Sequence, residues 1–104
     1  MNLRKEARDR ECQVRLPGCN GDTSTTVLAH FRLSGISGLG LKSPDWLGAW
    51  ACSSCHDLVD GRTAMAGLMS VVGAEEWNRT TVRLAHACGV FRTQQILFKE
   101  GKLK

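Results

Sequence analysis

Cys52-Ser53-Ser54-Cys55 and the earlier pair Cys12 and Cys19 place four sulfur donors in two short stretches of the chain. Two close pairs of thiolates are the ligand set of a closed tetrahedral zinc site, each pair presented by a turn. The Cys-x2-Cys spacing is standard. Cys12-x6-Cys19 is wider, but Pro17 and Gly18 within it are turn formers that can fold the loop back. Ordinary buried thiols, or a redox Cys-x-x-Cys, would explain one pair and not two. With His56, the second pair also reads Cys-x-x-Cys-His, the attachment motif of c-type haem, and Met65 and Met69 downstream are candidate axial residues. Haem attachment follows export, and the charged start of the chain, Leu3-Arg4-Lys5-Glu6, does not read as a signal peptide; the haem reading also leaves Cys12 and Cys19 without a role. A structural Zn²⁺ on Cys12, Cys19, Cys52 and Cys55 is therefore expected. His56 and Asp60, four residues apart, project from one face of a helix and can hold a hard cation between them.

Those donors need elements to carry them. Residues 3–10 suit a short basic helix, and Cys12 to Gly21 an irregular knuckle. From Val27 the pattern alternates: Val27, Ala29, Phe31 and Leu33 on one face, and Leu28, His30 and Arg32 on the other, more polar one. A glycine-rich linker, 34–40, follows; its glycines do not fit a Walker pattern, so a phosphate cradle there is not expected. A second strand, Trp46 to Ala51, delivers the chain to Cys52, and a helix is predicted from Cys55 to Asp60 with Gly61 as its stop. The zinc then packs this helix against the strands, so that His30 faces His56 and Asp60 across a shallow groove. Helices are predicted at Thr63–Val72 and Ala74–Cys88, the latter with Glu75 and Glu76 in its first turn, Gly89 past its end, and Trp77, Thr81, Leu84, Ala85 and Cys88 as its buried stripe. Gln94–Lys99 alternates weakly and suits a strand or a helix. His86 reads as packing or surface, and Cys88, the fifth cysteine, as a buried thiol.

At 104 residues the chain is expected to form one domain, with the knuckle and ββα core at about 11–61 and a helical part at about 62–104, small enough that a metal staple adds needed stability. The net charge is +4 and unevenly placed. Arg4, Lys5, Arg8, Arg10 and Arg15 crowd the first 15 residues against three acids, and Lys99, Lys102 and Lys104 the last six against Glu100. Basic ends fit a polyanionic partner such as nucleic acid. No stretch approaches the roughly 20 apolar residues of a membrane helix. A cytoplasmic protein with no membrane partner is expected, and the oligomeric state is not legible.

The order of a strand histidine, glycine-rich loop, second strand, Cys-x-x-Cys-His and helix resembles the HNH (ββα-metal, His-Me finger) nucleases. More closely, Leu3-Arg4-Lys5, Glu11-Cys12-Gln13-Val14-Arg15, Cys19-Asn20-Gly21, Val27-Leu28-Ala29-His30, Ala51-Cys52-Ser53-Ser54-Cys55-His56-Asp57 and the tail Lys99-Glu100-Gly101 resemble a small nuclease family of lambdoid phages and prophages. The resemblance implies an α+β fold and metal-dependent hydrolysis of DNA phosphodiesters. It implies His30 as general base, His56 and Asp60 as ligands of a catalytic Mg²⁺ or Mn²⁺, and Asp45, near the family's central asparagine, as a residue that orients His30 or reaches the metal. Arg32, beside His30, and Arg4, Lys5 and Arg8 would contact DNA. One departure stands out: many such enzymes carry an aspartate or histidine metal ligand immediately before the base, where this chain has Ala29. The alternative from another class is a catalytically silent, zinc-stabilised module that binds nucleic acid or protein.

Overall fold

The computed structural model describes residues 2–32, 43–61 and 77–103. The linker at 34–40, Leu33, the helix expected at Thr63–Val72, and Glu75 and Glu76 lie outside the described residues. Among those described, the order is helix α1 (Leu3–Glu6), strand β1 (Val27–His30), strand β2 (Gly48–Ala51), helix α2 (Ser53–Val59) and helix α3 (Arg79–Lys99), with single 3-10 turns at Thr23–Thr25 and Asp45–Leu47. This is a small α+β arrangement.

The strands pair antiparallel, Leu28 opposite Trp50, Ala29 opposite Ala49 and His30 opposite Gly48. Alternation gives the two faces different neighbours. Ala29, Ala49 and Ala51 join Val14, Leu16, Phe31, Leu58, Val82 and Val90 in one cluster. Leu28 and Trp50 pack with Ala7 and Leu97 in another. The face that carries His30 is thus polar only at its end. Gly48 is required there, because a Cβ at that position would lie 2.5 Å from Leu28 Cγ. Val27, on the face it shares with Ala29, is 41% exposed. Both strands are shorter than expected: β1 ends at His30, and Trp46 belongs to the 3-10 turn before β2.

Helix α2 begins two residues earlier than expected, with Cys52 as its cap, and ends before Gly61, whose φ of +78° is the left-handed conformation a helix stop favours. Helix α3 corrects the C-terminal reading. Asn78 is extended and forms a reciprocal capping box with Thr81, so the helix starts at Arg79 and not at Ala74. It runs straight through Gly89 and takes in Gln94–Lys99, which is helical. Gly89 is a packing contact and not a terminator: a Cβ there would lie 3.1 Å from Val14 Cγ2 and 3.2 Å from Ala49 Cβ. The buried side is Val82, His86, Gly89, Val90, Thr93 and Leu97, rotated from the expected stripe, and Leu84 is 63% exposed. Trp77 and Ala85 do pack against the core, while Cys88 is only half-buried. The outer edge of β2 is satisfied by its neighbours: Trp50 N–H donates to Thr93 Oγ1 (3.0 Å), and Gln13 N–H donates to Trp50 O (2.7 Å).

Candidate functional site

The four cysteines come together as expected. Cys12 and Cys19 are brought round by Arg15 and Gly18, both in left-handed conformation, with Cys19 N–H donating to Leu16 O (3.0 Å). Cys52 and Cys55 stand at the junction of β2 and α2, where Cys55 N–H points at Cys52 Sγ (3.5 Å). Asn20 Nδ2 donates to Ser53 Oγ (2.9 Å) and ties the knuckle to the helix.

All four sulfurs lie within 4.8 Å of one another, and Cys19 Sγ is 3.6 Å from Cys52 Sγ. A tetrahedral zinc with bonds of about 2.3 Å needs sulfurs about 3.8 Å apart. The donor set fits such an ion, and these cysteines can hold a metal such as zinc. The proton balance points the same way. The Cys55 thiol hydrogen-bonds to Cys12 and holds it down to about 4, while the same bond and burial push Cys55 far up; burial pushes Cys19 up to about 11. Four sulfurs so close cannot all be thiolates unless a cation sits among them.

The second constellation is a cleft of about 470 Å³ lined by, among others, His30, Arg32, His56, Asp60, Arg4 and Arg8. His30 arrives at the end of β1, and His56 and Asp60 arrive one turn apart on α2 with His56 Nε2 3.0 Å from Asp60 Oδ2. His30 and the His56–Asp60 pair line the same cleft. Asp45, in the turn before β2, lies against His30: its Oδ1 is 2.7 Å from His30 Nε2 and 3.4 Å from Arg4 Nε. The hydrogen bond from His30, helped by the charge of Arg4, holds the Asp45 carboxyl below its usual range. An ionised carboxylate only accepts, so His30 Nε2 carries the hydrogen of this contact.

Other expected residues fall elsewhere. Lys5 is exposed on α1 and does not line the cleft. Asp45 sides with His30 and not with His56 and Asp60; among the described residues the cysteines form the only group of three or more donors close enough to share an ion. His86 is packing, one of the two roles its sequence position allows: it is buried, Nε2 donates to Ala29 O (2.9 Å), and its ring stands edge-on to Phe31 at 5.1 Å. Arg83 reaches the site without being expected there. Its only sequence signal is the helical spacing that puts Arg79, Arg83 and His86 near one face.

The family model described as "Putative nuclease YbcO" matches residues 1–102. The chain belongs to the YbcO family. It is 47% identical over 106 aligned residues to "Putative nuclease YbcO" of Escherichia coli (strain K12), covering 99% of this chain and 97% of that one. The same figures hold for "Putative nuclease ybcO" of Enterobacteria phage 82, so a phage carries a relative of this YbcO-family chain. A solved structure of "a putative bacteriophage protein" from E. coli K-12 MG1655 superposes with a TM-score of 0.68 at 40% identity, covering 94% of this chain and 98% of that one. Among the described residues no helix of this YbcO-family chain is long and apolar enough to cross a membrane.

Proposed function

We propose that this YbcO-family chain is a metal-dependent DNA endonuclease of the HNH type, one domain spanning residues 1–104, working in the cytoplasm of a bacterial host. The observation that carries the reading is that His30, held by Asp45 at 2.7 Å, opens onto the same cleft as the His56–Asp60 pair. The relatives' names add a nucleic-acid hydrolase as the reaction class.

In this reading His30 Nδ1 takes the proton of a water that attacks the phosphorus. Asp45 fixes the ring with its hydrogen on Nε2 and stabilises the imidazolium that forms. Arg4, Arg8 and Arg32 draw the phosphate backbone into the cleft, with Lys5 adding charge beside it. A divalent cation held by His56 and Asp60 would neutralise the phosphate and stabilise the departing sugar oxygen. Two protein donors suit Mg²⁺ or Mn²⁺, which keep several water ligands and take further oxygens from substrate. A zinc held by Cys12, Cys19, Cys52 and Cys55 would take no part in bond cleavage; it would fix the first turn of α2, and hence His56.

The test is conversion of closed-circular plasmid to nicked and linear forms with Mg²⁺, Mn²⁺ or no divalent cation added. Cleavage that requires the cation supports the reading. Ala29, which leaves His56 and Asp60 as a two-donor pair, favours the second reading: a zinc-stabilised module that binds nucleic acid or protein without cutting it. Binding of DNA with no cleavage under any of the three conditions would select that module.

A further inference from the structure

The cleft at His30 and Asp60 continues beyond them. A second hollow of about 290 Å³ adjoins it, sharing His30, Arg32 and Asp60 with the first. The first branch runs toward Arg4 and Arg8, and the second toward Arg83 and His86 in the first half of α3. Two contacts hold Arg83 in place: its guanidinium lies over the Phe31 ring, 4.3 Å from the centroid, and Nη2 donates to Arg32 O at 2.6 Å. His86, anchored on Ala29 O, forms part of the wall. A carbonyl partner does not neutralise a guanidinium. Among the described residues neither Arg83 nor Arg32 is paired with a carboxylate, and the acid on this hollow, Asp60, is engaged with His56. The result is a polar recess lined by two guanidinium groups, of which Arg83 is held in place and keeps N–H donors beyond the one bound to Arg32 O.

We propose that this recess is a phosphate subsite for a nucleic-acid strand, with Arg83 as its principal contact and Arg32 shared with the cleavage cleft. A strand lying along the joined clefts then carries one phosphate between His30 and Asp60 and a neighbouring one at Arg83. The inference rests on the nuclease reading and extends it to a residue from α3, outside the ββα unit.

The test uses the full-length, zinc-loaded protein and fluorescence anisotropy on labelled single-stranded and duplex DNA, with no further divalent cation, from about 50 to about 200 mM salt. Arg83→Gln is expected to weaken binding about fivefold at the low-salt end and to reduce the slope of log Kd against log salt by about one. Arg83→Lys keeps the charge and forfeits the guanidinium's fit to Phe31 and Arg32 O, and should stay within about twofold of wild type. Equal losses in the two variants would mark Arg83 as structural and overturn the subsite, as would an unchanged slope in Arg83→Gln; both leave the nuclease reading standing. Failure of the wild type to bind either DNA overturns the subsite and the nuclease reading together.

Discussion

At the level of single residues the proposed chemistry turns on the imidazole of His30 and the carboxylate 2.7 Å from it. In that proposal Asp45, whose partners among the described residues are His30 and Arg4, holds the ring and balances its charge. Asp45→Ala is expected to lower kcat by about 10²-fold without raising KM, measured on an oligonucleotide substrate, because the carboxylate binds no phosphate and its loss frees Arg4. His86 sets a different prediction. Burial pushes its pKa below the usual 6.5, with Asp60 working to raise it and Arg83 and His56 to lower it further. The unfolded chain takes up this proton first as pH falls, so the folded state is favoured in full above about 6.5 and loses that advantage between there and the depressed folded value. Thermal unfolding followed from about pH 7.5 to about pH 5.5 should fall more steeply for wild type than for His86→Gln. Parallel curves would contradict it.

Among the elements, the strands and α2 are legible in the sequence because chemistry and periodicity agree there. Alternation around His30 and the Cys-x-x-Cys turn each define a local geometry without help from distant residues. Helix α3 departs from its expected bounds and stripe because its hydrophobic pattern points the wrong way: Leu84, Phe91 and Phe98 are each more than 60% exposed, while Gly89, Thr93 and His86 face the core. Gly89 looks like a stop in one dimension and is a contact in three. Helix α3 approaches Val14 and Ala49 so closely that a Cβ at Gly89 would force its neighbours back by a few tenths of an ångström. Thr93, polar and buried, donates to Gly89 O one turn back and accepts from the Trp50 amide at the edge of β2, a partner no local pattern reveals. Gly89→Val should therefore destabilise the fold by about 1–3 kcal/mol through overpacking, despite its higher place inside a helix on propensity grounds. Chemical denaturation would measure it. A variant as stable as wild type would mean that the contact is not tight.

Across the whole molecule, two ties hold the chain together. One is the cysteine cluster, which joins residues 12 and 19 to 52 and 55 across 33 positions of sequence between Cys19 and Cys52. The other is at the ends: Arg10 donates twice to Glu100 at 2.7 Å and lies 4.6 Å from the Trp50 ring centroid, and Lys102 pairs with Glu6 and Glu100. These bonds hold the Glu100 carboxyl down to about 2, so the tie persists until strongly acidic pH. Some of the basic end charge that suggests nucleic-acid contact in the sequence is thus neutralised inside the fold, while Arg4 and Arg8 do reach the cleft. With a metal bound, the cysteine cluster is expected to be the stronger of the two ties. Removal of metal by a strong chelator, or Cys55→Ala, is expected to abolish cooperative unfolding in circular dichroism, because ligation in so small a chain is folding energy. A sharp melt persisting in the metal-free protein would show that the apolar clusters suffice alone.

Whether His30 performs the chemistry is decided by single-turnover cleavage of closed-circular plasmid with Mn²⁺, comparing wild type with His30→Ala at equal zinc content and equal melting temperature. Nicking by wild type is expected, with a loss of at least about 10²-fold in the variant. Equal rates in the two proteins would contradict the assignment of His30 as the base.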